Sequence, residues 1–147
     1  MNNIQSPRTD DAGIEAEIQA KGKTAPRVKP DAVTAAIASE HYFTAADGVI
    51  GADRETMDLH GASKGPLGLL TICVLVLRNG FTVTGESACA SPANFDEGIG
   101  RRIAFENAKQ KVWPLLGFVL KEQLYQASLV EEGHRAISIV RIGDDAI

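Results

Sequence analysis

"LTICVLVLRNGFTVTGESA", residues 70–88, decides how the rest of this chain is read. Asn79-Gly80 stands between two β-rich runs. Such a pair is a strong short hairpin signal, because a type I′ turn wants positive φ at both central residues. With those two residues as the loop, Arg78 faces Phe81 and Cys73 faces Glu86. One face of the ribbon then carries Ile72, Val74, Val76, Phe81 and Val83, and the other Cys73, Leu75, Leu77, Thr82, Thr84 and Glu86. The first strand is apolar on both sides, its partner on one. A two-stranded ribbon is marginal alone in water. The pattern therefore asks for helices of the same chain on one face. The face holding Leu75 and Leu77 is left for a further element or a second subunit.

Downstream, the small residues of "SACASPA" lead into "NFDEGIGRRIAFENAKQKV", residues 94–112. Asn94 with Glu97 three residues on approximates a capping box. Ile99, Ile103, Ala104, Ala108 and Val112 recur at helical spacing. Pro114 is expected to end or kink this helix, with "LLGFVLKEQLYQASLV" continuing as a second one. The β-branched "RAISIVRIG", residues 135–143, predicts a short edge strand. Upstream, Pro30 and Asp31 suit a helix start, and Val33, Ala36 and Ile37 share its apolar face. From 44 to 66, Asp47-Gly48, Gly51, Gly61 and Gly65-Pro66 punctuate what reads as a long surface loop. Residues 12–23 form a short, weakly amphipathic helix stopped by Gly22, after a loose start. The expected fold is α+β: an antiparallel β-hairpin (about 68–88) packed against helices at about 30–41 and 95–127, in an oligomer. Its parts are an arm (1–24), the α+β domain (25–128) and an extension (129–147).

The chain has 147 residues, which suggests one domain. Its 44% hydrophobic and 23% charged residues are ordinary for a globular protein that builds a core without staples. A net charge of −4 argues against a nucleic-acid polymer as partner. No apolar run spans a bilayer, so no membrane partner is expected. "MNNIQSPRTDDAG" lacks the charged-then-apolar order of a signal peptide, so a cytoplasmic location is expected.

Cys73 and Cys89 form no C-x-x-C, and His41, His60 and His134 are far apart, which excludes a recognisable zinc spacing. There is no G-x-S-x-G elbow, and "GASKGPLG" precedes a strand rather than the helix a phosphate loop needs. No catalytic residue, metal ligand or cofactor is therefore expected. Glu40 and His41 are adjacent on the expected helix and do not share a face. His41 reads as a cation near the helix C-terminus.

Arg101 and Arg102 are the chemistry that stands out. Phe105 lies four residues beyond Arg101, and Lys109 four beyond Phe105, so a cationic and aromatic stripe runs beside the apolar face. Arginine recognises phosphate with a planar fork and stacks on aromatic bases. A helix start offers free N–H groups to an anion, so a nucleotide-like ligand fits. The plainer reading pairs Arg101 with Glu97 in a solvated i,i+4 contact worth a few tenths of a kcal/mol. Asp96 and Glu97 would repel a phosphate there.

The combination of "SEHYFTAADGV", "NGFTVTGESAC", "PANFD" and "WPLLG", with "IG", "IA" and "NA" between the last two, resembles a family of small tailed-phage proteins named for gene 49 of one phage and gene 66 of another. The resemblance runs from about Ala25 to Leu120; the first two dozen residues and the tail lie outside it. That family is similar to the Thoeris anti-defence sponges, oligomeric phage proteins that hold cyclic ADP-ribose signals of bacterial TIR enzymes without cutting them. The resemblance implies a non-enzymatic, homo-oligomeric protein in the host bacterial cytoplasm that binds a small cyclic nucleotide signal. Its candidate ligand residues are Phe81, Asn94, Phe95, Arg101, Arg102, Phe105 and Lys109, with the arginines on phosphates, a phenylalanine on the base and Asn94 hydrogen-bonding. The alternative is a phage structural or host-interaction protein acting through protein–protein contacts. A small nucleotide-processing enzyme ranks third, since no catalytic set is recognisable.

Overall fold

The computed structural model describes residues 11–52 and 65–144, with side chains through residue 135. In chain order come α1 (Asp11–Ala20), α2 (Pro30–Ala36), β1 (Ile37–Thr44), α3 (Ala45–Ala52), β2 (Leu70–Leu77), β3 (Thr82–Ala88) and α4 (Glu97–Asp144). Short 3₁₀ turns cover Pro66–Leu69 and Pro92–Asn94. The strands make one antiparallel sheet in the order β1-β2-β3. Helices pack on it, so the class is α+β as expected, with one more strand than the hairpin promised.

The hairpin forms, but its register is shifted by one residue from the expected one. Its loop has three residues: the Leu77 N–H donates to the Phe81 carbonyl (2.8 Å), and the Gly80 N–H donates to the Leu77 carbonyl (2.8 Å). Gly80 closes the loop at φ +84°, a left-handed position that suits glycine. Cys73 therefore faces Gly85, and Leu75 faces Val83. Side chains alternate along a strand, so a one-residue shift turns β3 over relative to β2. Val83 then joins Cys73, Leu75 and Leu77 in the core. Ile72, Val74 and Val76, half-buried, share the outer face with Thr82, Thr84 and Glu86. The expected faces are thus exchanged: Leu75 and Leu77, left in the sequence reading for a further element or a second subunit, lie under the helices of the same chain. This register wins because it gathers the large apolar groups beneath the helices.

The core unites that inner face with Val33 of α2 and Ala104, Ala108 and Val112 of α4. The contact at Gly85 is backbone against backbone: a Cβ built there would lie 2.2 Å from the Ala104 carbonyl oxygen and 2.2 Å from the Ala108 nitrogen.

The helix expected over 30–41 stops at Ala36, and residues 37–44 extend along β2. The β-formers in "HYFT" and the unpaired edge of β2 outweigh the helical periodicity that ended at Ile37. His41 is therefore not at a helix end; Glu40 and His41 point to opposite faces of β1. The loop expected from residue 44 begins as α3. Here the Asp47 N–H donates to Thr44 Oγ1 (3.1 Å), and the Thr44 N–H donates to Asp47 Oδ2 (2.8 Å), a reciprocal cap. The remainder of that expected loop, residues 53–64, lies outside the described residues, as does the loose start over 1–10.

α4 runs through Pro114 without a break. Proline removes one helical hydrogen bond, but buried Val112 and the packed Trp113, Leu115 and Leu116 hold both sides of that position on the core. The cap of α4 is Asp96, whose Oδ1 accepts from the Ile99 N–H (2.8 Å), and not Asn94, which belongs to the preceding 3₁₀ turn. The edge strand expected at 135–143 is also helix. Propagating an existing helix adds one hydrogen bond per residue, and α4 carries this segment away from the sheet. The free edge of β3 is instead met by α4 side chains: Asn107 Nδ2 donates to the Glu86 carbonyl (2.8 Å) and Lys111 Nζ to the Thr84 carbonyl (2.7 Å).

The expected N-terminal helix is α1. It ends as predicted at Gly22 (φ +66°), with the Lys23 N–H donating to the Ile18 carbonyl and the Gly22 N–H to the Gln19 carbonyl. It is tied to its own chain by Glu15–Arg27 (2.5 Å) and Asp11–Lys109 (3.3 Å).

Gly85→Ala is expected to lower the unfolding free energy by about 3 kcal/mol or more, since only a backbone shift makes room. Gly117, mid-helix with open space around it, gives the contrast: Gly117→Ala is expected to gain about 0.5–1 kcal/mol. Urea denaturation measures both. The Arg27 guanidinium holds the Glu15 carboxyl below its usual range, and the Thr44 N–H and hydroxyl do the same for Asp47. Carboxylates with lowered folded pKa stabilise above the ordinary range, and that contribution is lost as pH falls through their folded values. Thermal stability should therefore decline below about pH 4, less steeply in Asp47→Asn, as thermal melts across pH would record.

Candidate functional site

The start of α4 crosses beside β1 and leaves a cleft of about 470 Å³. β1 supplies Glu40 and Tyr42, which share a face by strand alternation; α4 supplies Gly98, Arg101, Arg102, Phe105 and Glu106. The helical residues converge through i,i+4 spacing, 98 with 102 with 106 and 101 with 105. A second groove of about 390 Å³ lies on the other side of Arg102, between Ile99, Ile103, Glu106 and Asn107. Arg102 and Glu106 are common to both.

The two arginines differ in their partners. The guanidinium of Arg101 bonds Glu97 (2.5 Å) and lies 5.5 Å from the centroid of the Tyr42 ring, a cation–π contact. The plain i,i+4 pairing is therefore present, with a stacking contact added. Arg102 makes no ion pair among the described residues, and its fork is open to a ligand anion. Burial, then Cys73 and Glu40, push the Tyr42 phenol up to about 12, so it stays a neutral hydrogen-bonding group. Burial and then Glu40 raise the Cys73 thiol as well. The cleft thus presents two aromatic rings, a free guanidinium and two carboxylates suited to hydroxyl and amine donors.

Asn94 and Phe95 lie beside a smaller cavity of about 130 Å³ on another side of the helix start, with Thr71, Ser87 and Ile99. Thr71 is 2% exposed and its hydroxyl has no hydrogen-bond partner among the described residues. Lys109 lines none of these spaces: its ammonium bonds Asp11 and approaches Glu106 (4.0 Å), fastening α1 to α4. Phe81 is half-exposed beyond the hairpin loop, at the opposite end of the β2–β3 ladder from Asn94, about 20 Å away at strand spacing. The candidate set therefore separates into Arg101, Arg102 and Phe105 in one cleft, Asn94 and Phe95 in a neighbouring cavity, and Phe81 and Lys109 elsewhere. Sequence reasoning missed Glu40, Tyr42 and Glu106. The signal for the first two was the β-rich "EHYFT", read as the end of a helix.

Among the described residues no cluster of three or more His, Cys, Asp or Glu could hold a metal, and no helix is long and apolar enough to cross a membrane. Fold and cleft define a small α+β protein with an open recess between a strand and a helix start. The chain belongs to the phage protein (N4 Gp49/phage Sf6 gene 66) family, whose model matches residues 28–124. No curated protein and no solved structure matches it.

Arg101→Ala removes an ion pair and a ring contact, and should cost about 0.5–1.5 kcal/mol of stability. Arg102→Ala should stay within about 0.5 kcal/mol of wild type. Chemical denaturation of the two variants checks this division between a structural and a free arginine.

Proposed function

We propose that this phage protein is an anti-defence sponge: it binds a cyclic ADP-ribose-type or related cyclic nucleotide immune signal and holds it uncut, as a homo-oligomer in the host cytoplasm. The observation that carries this reading is the free guanidinium of Arg102 beside the rings of Tyr42 and Phe105 in one cleft. A pyrophosphate-bridged nucleotide needs those elements: a planar fork for phosphate and a ring face for the base. Glu40 and Glu106 would accept from ribose hydroxyls or the exocyclic amine. The neutral phenol of Tyr42 and the buried thiol of Cys73 favour holding over cutting, since neither is poised as base or nucleophile.

A second reading, a structural or host-interaction protein, is favoured by the outer sheet face, where half-buried Ile72, Val74 and Val76 adjoin exposed Phe43. It predicts a stable protein partner and no small ligand.

Calorimetric titration with cyclic ADP-ribose isomers and cyclic dinucleotides, followed by mass spectrometry of the heat-released ligand, separates these readings. The sponge predicts micromolar or tighter binding, a ligand recovered with unchanged mass, and about tenfold or greater weakening in Arg102→Ala. No binding at about 100 μM protein would sink it, and a ligand of altered mass would point to an enzyme.

A further inference from the structure

α1 is fastened to the body by charge. None of its residues is buried, and the face it turns inward consists of Asp11, Glu15 and half-buried Ile18. Lys109 Nζ of α4 donates to Asp11 Oδ2 (3.3 Å). Arg27, in the connector between α1 and α2, donates to both Glu15 oxygens, from Nη2 (2.5 Å) and Nε (3.3 Å). All four of these side chains are less than one-fifth exposed, whereas Ile14 stands half-exposed. A helix as short as α1 is marginal in water on its own, so these contacts decide whether it holds its place. Asp11 and Glu15 are four positions apart on one side of α1, which sets Arg27 and Lys109 about 6 Å from each other. Lys109 also stands one turn beyond Phe105 of the cleft.

We propose that α1 is a displaceable arm: its two carboxylates occupy an anion site made by Arg27 and Lys109, and a phosphate-bearing anion that takes this site releases the arm. A guanidinium fork grips two phosphate oxygens as it grips the two oxygens of Glu15, and the ammonium adds a point charge. Carboxylate and phosphate therefore compete for the same donors. Asp11 and Glu15 stand where two joined phosphates would, one for each cation. The connector over 21–29 is short, so the arm's carboxylates compete at a millimolar effective concentration. The arm can leave because Ile18 is the one apolar residue on its inward face. Glu106, 4.0 Å from Lys109, is more than half exposed, and its solvated carboxylate can turn outward. The pair Arg101–Glu97 is a different case, joining residues of one helix and tethering nothing. The family match begins at residue 28, so α1 lies outside the shared domain and Lys109 inside it. This arm is independent of the ligand reading of the cleft, whose walls include neither Arg27 nor Lys109.

Hydrogen–deuterium exchange of the full-length chain, with calorimetric titration of inorganic pyrophosphate and of ADP, tests it. Millimolar pyrophosphate or ADP should speed amide exchange over residues 11–20 at least about tenfold beyond sodium chloride at equal ionic strength. Asp11→Asn with Glu15→Gln should free the arm without any anion and bind the probe at least about tenfold more tightly than wild type. Adding Arg27→Gln and Lys109→Gln should abolish that gain. Each titration is repeated with Arg102→Ala, so that binding at the cleft is not counted, and circular dichroism reports that the body is folded. Release by pyrophosphate alone assigns free phosphate to the site, and release by ADP alone assigns a phosphate ester. Three results would overturn the arm's role: neither probe speeds exchange beyond the salt control, neutralising the two carboxylates leaves affinity unchanged, or the gain persists without Arg27 and Lys109.

Discussion

The structure depends on one close approach: α4 lies directly on β3 at Gly85, with Ala104 and Ala108 above it and no side chain between. Protein interiors pack to crystal-like density, so a contact made by the smallest residues fixes the height and line of the helix over the sheet. Leu75, Val83 and Val112 then fill the space to either side. Asn107 and Lys111, on the same helix, reach the carbonyls of the β3 edge. The sheet is thereby covered on one face and sealed along one edge by a single element.

The cleft is a consequence of that line. Once α4 is seated on β3, its first turns stand beside β1, and Arg101 meets the ring of Tyr42. A recess opens because Gly98 presents no side chain there while Phe105 and Tyr42 wall the sides. It holds one arginine engaged in an ion pair and a ring contact, one with no ion pair among the described residues, and a phenol held neutral by burial.

Two faces are left uncovered by the described residues, and they are of different kinds. The outer sheet face is a half-buried β surface beside α3, whereas the end of α4 is a bare helix with a narrow apolar line.

Much was legible without coordinates. Asn79-Gly80 marks the hairpin, Gly22 the end of α1, and the spacing of Ala104, Ala108 and Val112 the buried line of α4. Each is a local signal, readable because glycine conformation and side-chain periodicity act within a few residues. The site was legible in part: Arg101, Arg102 and Phe105 share a helix, so their spacing alone brings them together. Tyr42 and Glu40 were missed because they come from a strand 59 positions from Arg101, and its pairing with β2 is a long-range contact that no local pattern contains. The hairpin register, the survival of α4 past Pro114 and the helical end of the chain were likewise tertiary decisions. In the first two, the energy of burying Val83 or Val112 exceeded a local turn or proline preference; in the third, an established helix overrode β-branched composition. Sequence by itself determined which segments turn, which run regularly and where the arginines stand. Only tertiary packing decided which face of each strand is inside and which strand meets the arginines, because those choices depend on the summed burial of residues far apart in the chain.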